Sequence, residues 1–271
     1  MNLDGIVLQN YIYHFLREMD NNYSFAGKTV MFLHTTPVLD NSRAILKLGA
    51  EKVYFVNAEF KHQTEENGKI TALNEKTLNL IEDNSVDLIL GLEILEHINN
   101  LKNFFSEIKR VLKKGGKAEL RGYPVWTNPL GHHIWLTGKY IYYEDTNPFK
   151  PWEHLTYSDK TETRNALLQK GINEDDAYEI ARWIYDKTEI SRHTPTEIIK
   201  AATNRNREKA DGGINYTRYG IFEEYKLKNF AITAKRTCNR FKENEFFELA
   251  KEKYNEDDLK TDVLTITLSK E

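Results

Sequence analysis

Cysteine is nearly absent: Cys238 is the single one in 271 residues. A lone thiol closes no internal disulfide and builds no cysteine zinc site, so the expected compartment is a reducing cytoplasm. Long apolar runs are missing too; no stretch approaches the roughly 18 apolar residues of a membrane span. The opening residues, Met1-Asn-Leu-Asp-Gly, lack the basic region and apolar core of a secretory signal. There is no excess of basic charge. With 38 basic against 41 acidic residues the net charge is −3, which argues against general affinity for nucleic acid. No internal repeat or low-complexity tail is evident. The length suits one α/β domain with elaborations, large enough to bury a core without staples.

The first half reads as alternating short strands and helices. Residues 8–19 carry aromatic and aliphatic side chains at helical spacing. Residues 28–33 (KTVMFL) form a buried-strand run that Thr35-Thr36-Pro37 breaks, and a helix over 40–48 ends at Gly49. Residues 52–56 (KVYFV) are a second strand, and 86–92 (VDLILGL) a third, after the turn at Asp83-Asn84-Ser85. A helix then runs to about Leu112. Its apolar residues Leu101, Phe104, Phe105, Ile108, Val111 and Leu112 make one face, and Gly115-Gly116 stops it. A strand over 117–122 follows. This rhythm predicts an α/β fold with a doubly wound, parallel Rossmann-like sheet.

Beyond Trp126 the rhythm is lost and Trp, Tyr and His become frequent, which predicts an inserted helical cap. Helices are expected at 160–170, 174–187, 195–203 and 243–254, a polar loop at 204–217, and a final strand at 263–269. The implied division is an N-terminal helix (1–25), a core (26–124), a cap (125–217) and C-terminal strands and helix completing the core (218–271).

The segment Asn84-Ser-Val-Asp-Leu-Ile-Leu-Gly-Leu-Glu-Ile-Leu-Glu-His-Ile, with Ile108-Lys-Arg-Val-Leu-Lys-Lys-Gly-Gly-Lys after it, resembles the class I S-adenosylmethionine (SAM) dependent methyltransferases. The resemblance implies SAM lying across the carboxyl ends of the first strands. It also exposes a departure. The family's glycine-rich loop aligns with His34-Thr35-Thr36-Pro37-Val38, which holds no glycine, and its ribose-binding acid aligns with Asn57, with Glu59 nearby. The resemblance therefore assigns cofactor binding to His34, Thr35, Thr36, Asn57, Glu75 and Leu92.

Glu93, Glu96 and His97 are spaced i, i+3 and i+4, which on a helix places all three on one face. With His132 and His133 downstream, the pattern is similar to metal-dependent O-methyltransferases, including those acting on small-RNA 2′-hydroxyls and in the ubiquinone pathway. Glu93, Glu96, His97 and His132 are the metal candidates, for Mg²⁺, Mn²⁺, Fe²⁺ or Zn²⁺. His97, His132 and His133 are the catalytic candidates, since a histidine base serves equally well in activating a hydroxyl. Aromatic and histidine side chains recur from Tyr123 and Trp126 to His154, and the stretch Gly131-His-His-Ile-Trp135 with Pro151-Trp-Glu-His-Leu155 resembles methyltransferases of bacterial surface-polysaccharide clusters. Arg121, Arg182, Lys187 and Arg192 are candidate phosphate contacts. The leading expectation is a cytoplasmic O-methyltransferase for a small hydroxylated acceptor, a sugar, nucleotide-linked or phosphate-containing precursor. A catalytically inactive scaffold and a metal-dependent RNA 2′-O-methyltransferase are the alternatives.

Overall fold

The computed structural model describes residues 2–3, 5–134, 147–186, 190–204, 214–217, 220–239 and 241–271. A small hairpin, β1 (Asn2–Leu3) and β2 (Ile6–Val7), leads into helix α1 (Asn10–Tyr23). Then come β3 (Thr29–His34), α2 (Asp40–Lys47), β4 (Lys52–Val56), β5 (Gln63–Glu65), β6 (Ile70–Leu73), β7 (Val86–Leu92), α3 (Leu101–Val111) and β8 (Leu112–Gly122). The second half contains α4 (Lys160–Gln169), α5 (Glu174–Asp186), α6 (Pro195–Thr203) and β9 (Ile214–Thr217). It ends with β10 (Gly220–Leu227), β11 (Phe230–Cys238), α7 (Glu245–Ala250), α8 (Glu256–Leu259) and β12 (Thr261–Lys270).

Ten strands form one sheet in the order β5-β6-β4-β3-β7-β8-β12-β11-β10-β9. The run from β6 to β8 is parallel, and β12, β11, β10 and β9 continue it in antiparallel fashion. The chain starts at β3, builds outward to β6, then returns to the other side of β3 as β7. That reversal makes the carboxyl ends of β3 and β7 the crevice where an open α/β sheet takes its ligand. Helices cover both faces. One face packs α1 and α2 against Val30, Phe32, Phe55 and Leu90. The other packs α3 and α6 against Met31, Leu33, Ile89, Leu120 and Ile266. The expected doubly wound α/β architecture is the observed one.

The cap has a core of its own. Trp126, Phe149, Trp152, Leu155, Ile180 and Ile184 pack together there with Phe247 and Ala250 of α7 and Leu259 of α8.

Four local expectations differ from the structure. The helix foreseen after β7 does not start at the strand's end: Glu93 has φ of 51°, Leu95–His97 is a single 3-10 turn, and α3 begins only at Leu101. Asn100 explains the late start, because its side chain caps the helix by accepting from the Asn103 N–H at 3.1 Å. Next, Gly115-Gly116 does not separate helix from strand. β8 starts at Leu112, and the glycines form a bulge where its register with β7 shifts. Third, part of the expected polar loop is strand β9. Fourth, of the helix expected at 243–254 only α7 forms, and the separate short α8 follows it.

One buried polar network explains why β10 and β11 were hard to single out. Glu223 and Arg236 are both essentially inaccessible and sit on the inward faces of these strands, interrupting the apolar alternation. Arg236 Nε donates to Glu223 Oε1 at 3.2 Å, and its guanidinium also pairs with buried Asp258. Asp258 in turn accepts from the backbone N–H and hydroxyl of Thr196 at 3.1 and 2.8 Å. The network joins β10, β11, α8 and α6. Arg236→Met leaves two buried carboxylates without their cation, and should lower unfolding free energy by about 3–5 kcal/mol. A urea-denaturation loss below about 1 kcal/mol would show that water reaches these groups.

Candidate active site

At the end of β3 the loop 34–39 closes without glycine because none of its residues requires a positive φ. His34 is fully buried; its ring stacks on Phe32 at 5.8 Å between centroids, and its Nδ1 accepts from the Thr36 N–H at 3.1 Å. Thr35 and Thr36 are half-buried at the crevice. Asn57 lies where the resemblance puts it, but its amide is already committed. Nδ2 donates to the carbonyls of His34 and Thr35, both at 2.7 Å, and Oδ1 accepts from the Glu59 N–H at 2.8 Å. Asn57 thus ties two loops together, while the exposed Glu59 carries the carboxylate at this edge. Glu75 opens a 3-10 turn, and Leu92 ends β7 nearly buried.

The expected acidic-histidine cluster is split and rearranged. Without a helix at 93–97, Glu93 turns back toward β3, where its Oε2 stands 3.9 Å from His34 Nε2. Glu96 turns inward and is buried. Its Oε1 accepts from the Tyr123 N–H at 3.0 Å, and its Oε2 has no hydrogen-bond partner among the described residues. Gly122 makes room for it: a Cβ there would lie 3.1 Å from Glu96 Oε2 and 2.7 Å from Leu95 Cβ. Burial pushes the Glu96 carboxyl well above the usual carboxylate range, against the hydrogen bond from Tyr123.

Glu96, His97 and His133 come together, each offering a ligand atom within 4.8 Å of the others. The His97 and His133 rings meet edge to face at 5.5 Å. His133 Nδ1 donates to the Gly131 carbonyl at 2.7 Å, which puts its lone pair on Nε2, the tautomer of a metal ligand or base. His132 is not part of this group. Its Nδ1 accepts from the Ile134 N–H at 3.2 Å, and its ring faces Phe149 and His154 at 5.2 and 5.1 Å inside the cap core. Consecutive residues diverge here because His133 has a left-handed φ of 54°.

The basic candidates are also placed differently. Arg121 pairs with Glu18 and Glu119, both at 2.6 Å, and covers the Phe15 ring, pinning α1 to β8. Arg192 stands over the Tyr185 ring at 5.4 Å, and Arg182 is exposed on α5. Trp135 and Lys187 lie outside the described residues. Two contributors escaped the sequence reading. Tyr11 reaches the crevice from α1, 3.4 Å from His34 Nε2, and Ser191 donates its N–H to the Glu96 carbonyl at 2.8 Å. Neither stands in a motif, and only the docking of α1 and of the cap brings them in.

Comparison with protein families matches residues 41–120 to a methyltransferase domain. The matched segment is thus similar to part of a methyltransferase domain. That match runs from α2 to β8 and starts just past the loop that lacks glycine. Among solved structures, one described as an S-adenosylmethionine-dependent methyltransferase from Listeria monocytogenes is 13% identical, covering 96% of this chain and 98% of that one, with a TM-score of 0.45. One from Methanococcus maripaludis, also described as S-adenosyl-L-methionine-dependent, is 19% identical over 61% and 75% of the two chains, with a TM-score of 0.37. A type 11 methyltransferase from Sulfolobus solfataricus is 19% identical over 41% of this chain, with a TM-score of 0.31. The match spans 63% of that protein's length. No curated protein matches the chain. Among the described residues, no helix is long and apolar enough to cross a membrane.

The buried histidines of this protein give its stability a pH dependence. Burial pushes His133 down to about 3 and His154 to about 4, and it takes His132 well below its ordinary value. Below about pH 6.5 the unfolded chain binds protons that the folded chain refuses, so stability is lost as pH falls toward 4. Each such histidine contributes a slope of about 1.4 kcal/mol per pH unit. Glu96, raised by burial, acts in the opposite sense and offsets about one of them. Denaturation midpoints should fall from pH 7 to pH 5, and His154→Gln should make that fall shallower. Midpoints that stay level would contradict the buried, neutral histidines.

Proposed function

We propose that this chain is a cytoplasmic SAM-dependent O-methyltransferase acting on a small hydroxylated acceptor, a sugar or nucleotide-linked precursor of a surface polysaccharide. The observation that carries this reading is the convergence of Glu96, His97 and His133 at the ends of β7 and β8. Two imidazoles and one carboxylate are a donor set for a divalent cation such as Mn²⁺, Fe²⁺ or Zn²⁺. The Glu96 carboxyl, whose Oε2 has no hydrogen-bond partner among the described residues, and the Nε2 lone pair of His133 both fit that role. A cation there would lower the pKa of an acceptor hydroxyl.

SAM supplies the methyl group as an electrophilic sulfonium. The chain's own residues bind and orient. Thr35 and Thr36 would line the cofactor crevice, Glu59 would take the ribose hydroxyls in the stead of the committed Asn57, and Leu92 would flank the adenosyl group. When bound, SAM would give its methyl carbon to the acceptor oxygen, the sulfur keeping the electrons of the broken bond and the hydroxyl proton passing to solvent. Holding oxygen and methyl in line supplies much of the rate. The net acidic charge favours such acceptors over RNA.

Titration of metal-stripped protein with Mn²⁺ or Zn²⁺ should show one site, weakened at least about tenfold in Glu96→Gln and in His133→Ala, as for loss of a direct ligand or its orientation. Methyl transfer from SAM to a panel of nucleotide sugars should then be suppressed by EDTA. Metal binding unchanged in both variants would remove the cation from the account. Transfer that is insensitive to EDTA but abolished in His97→Ala would make His97 the base instead.

A further inference from the structure

Glu93 sits apart from the Glu96 cluster and demands its own explanation. It follows β7 directly, in a left-handed conformation of φ 51° that a residue with a side chain adopts only when its surroundings hold it. The strained turn aims its carboxylate at the end of β3, across the point where the sheet reverses. Its neighbours there come from two other elements. His34 Nε2 is 3.9 Å away, and the Tyr11 hydroxyl of α1 lies 3.4 Å from that same nitrogen, where its presence favours the ionised form of Glu93.

These neighbours are neutral. Burial holds the His34 imidazole below its ordinary pKa, and burial with the adjacent Glu93 pushes the Tyr11 phenol up to about 12. Among the described residues no lysine or arginine pairs with Glu93, whose side chain is 37% exposed. A half-buried carboxylate set against neutral donors, in a ligand crevice, is complementary to a cationic ligand group. The SAM amino-acid end carries such a group, and the loop facing it lacks the glycines that would let backbone approach.

The geometry points to Glu93 as the receptor for the α-ammonium of the SAM amino-acid end, with Tyr11 and His34 as positioning residues that hold its carboxylate. The inference rests on SAM occupying the β3–β7 crevice. It assigns Glu93 to the cofactor and separates it from the proposed cation ligands.

Calorimetry with two ligands tests it: S-adenosylhomocysteine, which has the ammonium, and 5′-methylthioadenosine, which lacks the whole amino-acid end. Glu93→Gln should weaken S-adenosylhomocysteine roughly 10- to 100-fold, the range for a hydrogen bond to a charged group, and leave 5′-methylthioadenosine within about twofold. Tyr11→Phe should show the same selectivity with a smaller loss. If Glu93→Gln weakens both ligands equally, or neither, the assignment is overturned while SAM binding stands. Should the wild-type protein bind neither ligand, the cofactor reading fails and the assignment with it. If the variant does not fold, the wild-type protein carries the test through the deaminated analogue of S-adenosylhomocysteine. That analogue should bind roughly tenfold more weakly than its parent, and equal binding would overturn the assignment.

Discussion

The rest of the site depends on how Glu96 is buried. Its side chain accepts the Tyr123 N–H just after β8, and its carbonyl accepts the Ser191 N–H from the segment leading to α6. One residue after β7 thereby ties together the ends of two strands and the cap. A carboxyl placed this deep is costly unless its oxygens are satisfied. Oε1 is satisfied by backbone and stands 4.0 Å from His97 Nε2, while Oε2 lies buried against Gly122. Gly122 is part of the same constraint, since any side chain there would collide with the Leu95 Cβ.

This arrangement divides the crevice in two. On the β3 side lie the loop 34–39, Asn57, Glu93 and Tyr11, the half proposed for the cofactor. On the β8 side lie Glu96, His97 and His133, the half proposed for cation and acceptor. The cap stands over the second half. Its core reaches α7 and α8, and the Arg236–Asp258–Thr196 network connects those elements to the sheet. β11, α8 and α6 are thus held together by one buried network.

The fold was legible where the pattern was local. The strands at 52–56 and 86–92 and the helix at 195–203 match β4, β7 and α6 at both ends, because apolar runs and a capping Thr194-Pro195 pair mark them. β10 and β11 were obscured by Glu223 and Arg236, whose burial makes sense only once the strands face each other. The site was legible in its residue types but not in its geometry. Spacing alone put Glu93, Glu96 and His97 on one helical face, whereas the left-handed turn at Glu93 sends that residue toward His34 and leaves Glu96 and His97 together. Adjacent His132 and His133 could not be told apart in sequence, because a single φ decides which one joins the cluster. Asn57 was found in place, but its two donor bonds to loop carbonyls depend on contacts that no motif records.

The central claim is that cofactor and cation would share this crevice, one on each side of Glu93–His97. A crystal structure of the protein soaked with S-adenosylhomocysteine and Zn²⁺ or Mn²⁺ tests it most directly. The account predicts an anomalous peak roughly 2.0–2.3 Å from a Glu96 oxygen and from nitrogens of His97 and His133. It also predicts the amino-acid end of the ligand beside Glu93. Nucleoside density elsewhere on the molecule, or an ion held by Glu93 and His132 instead, would contradict it.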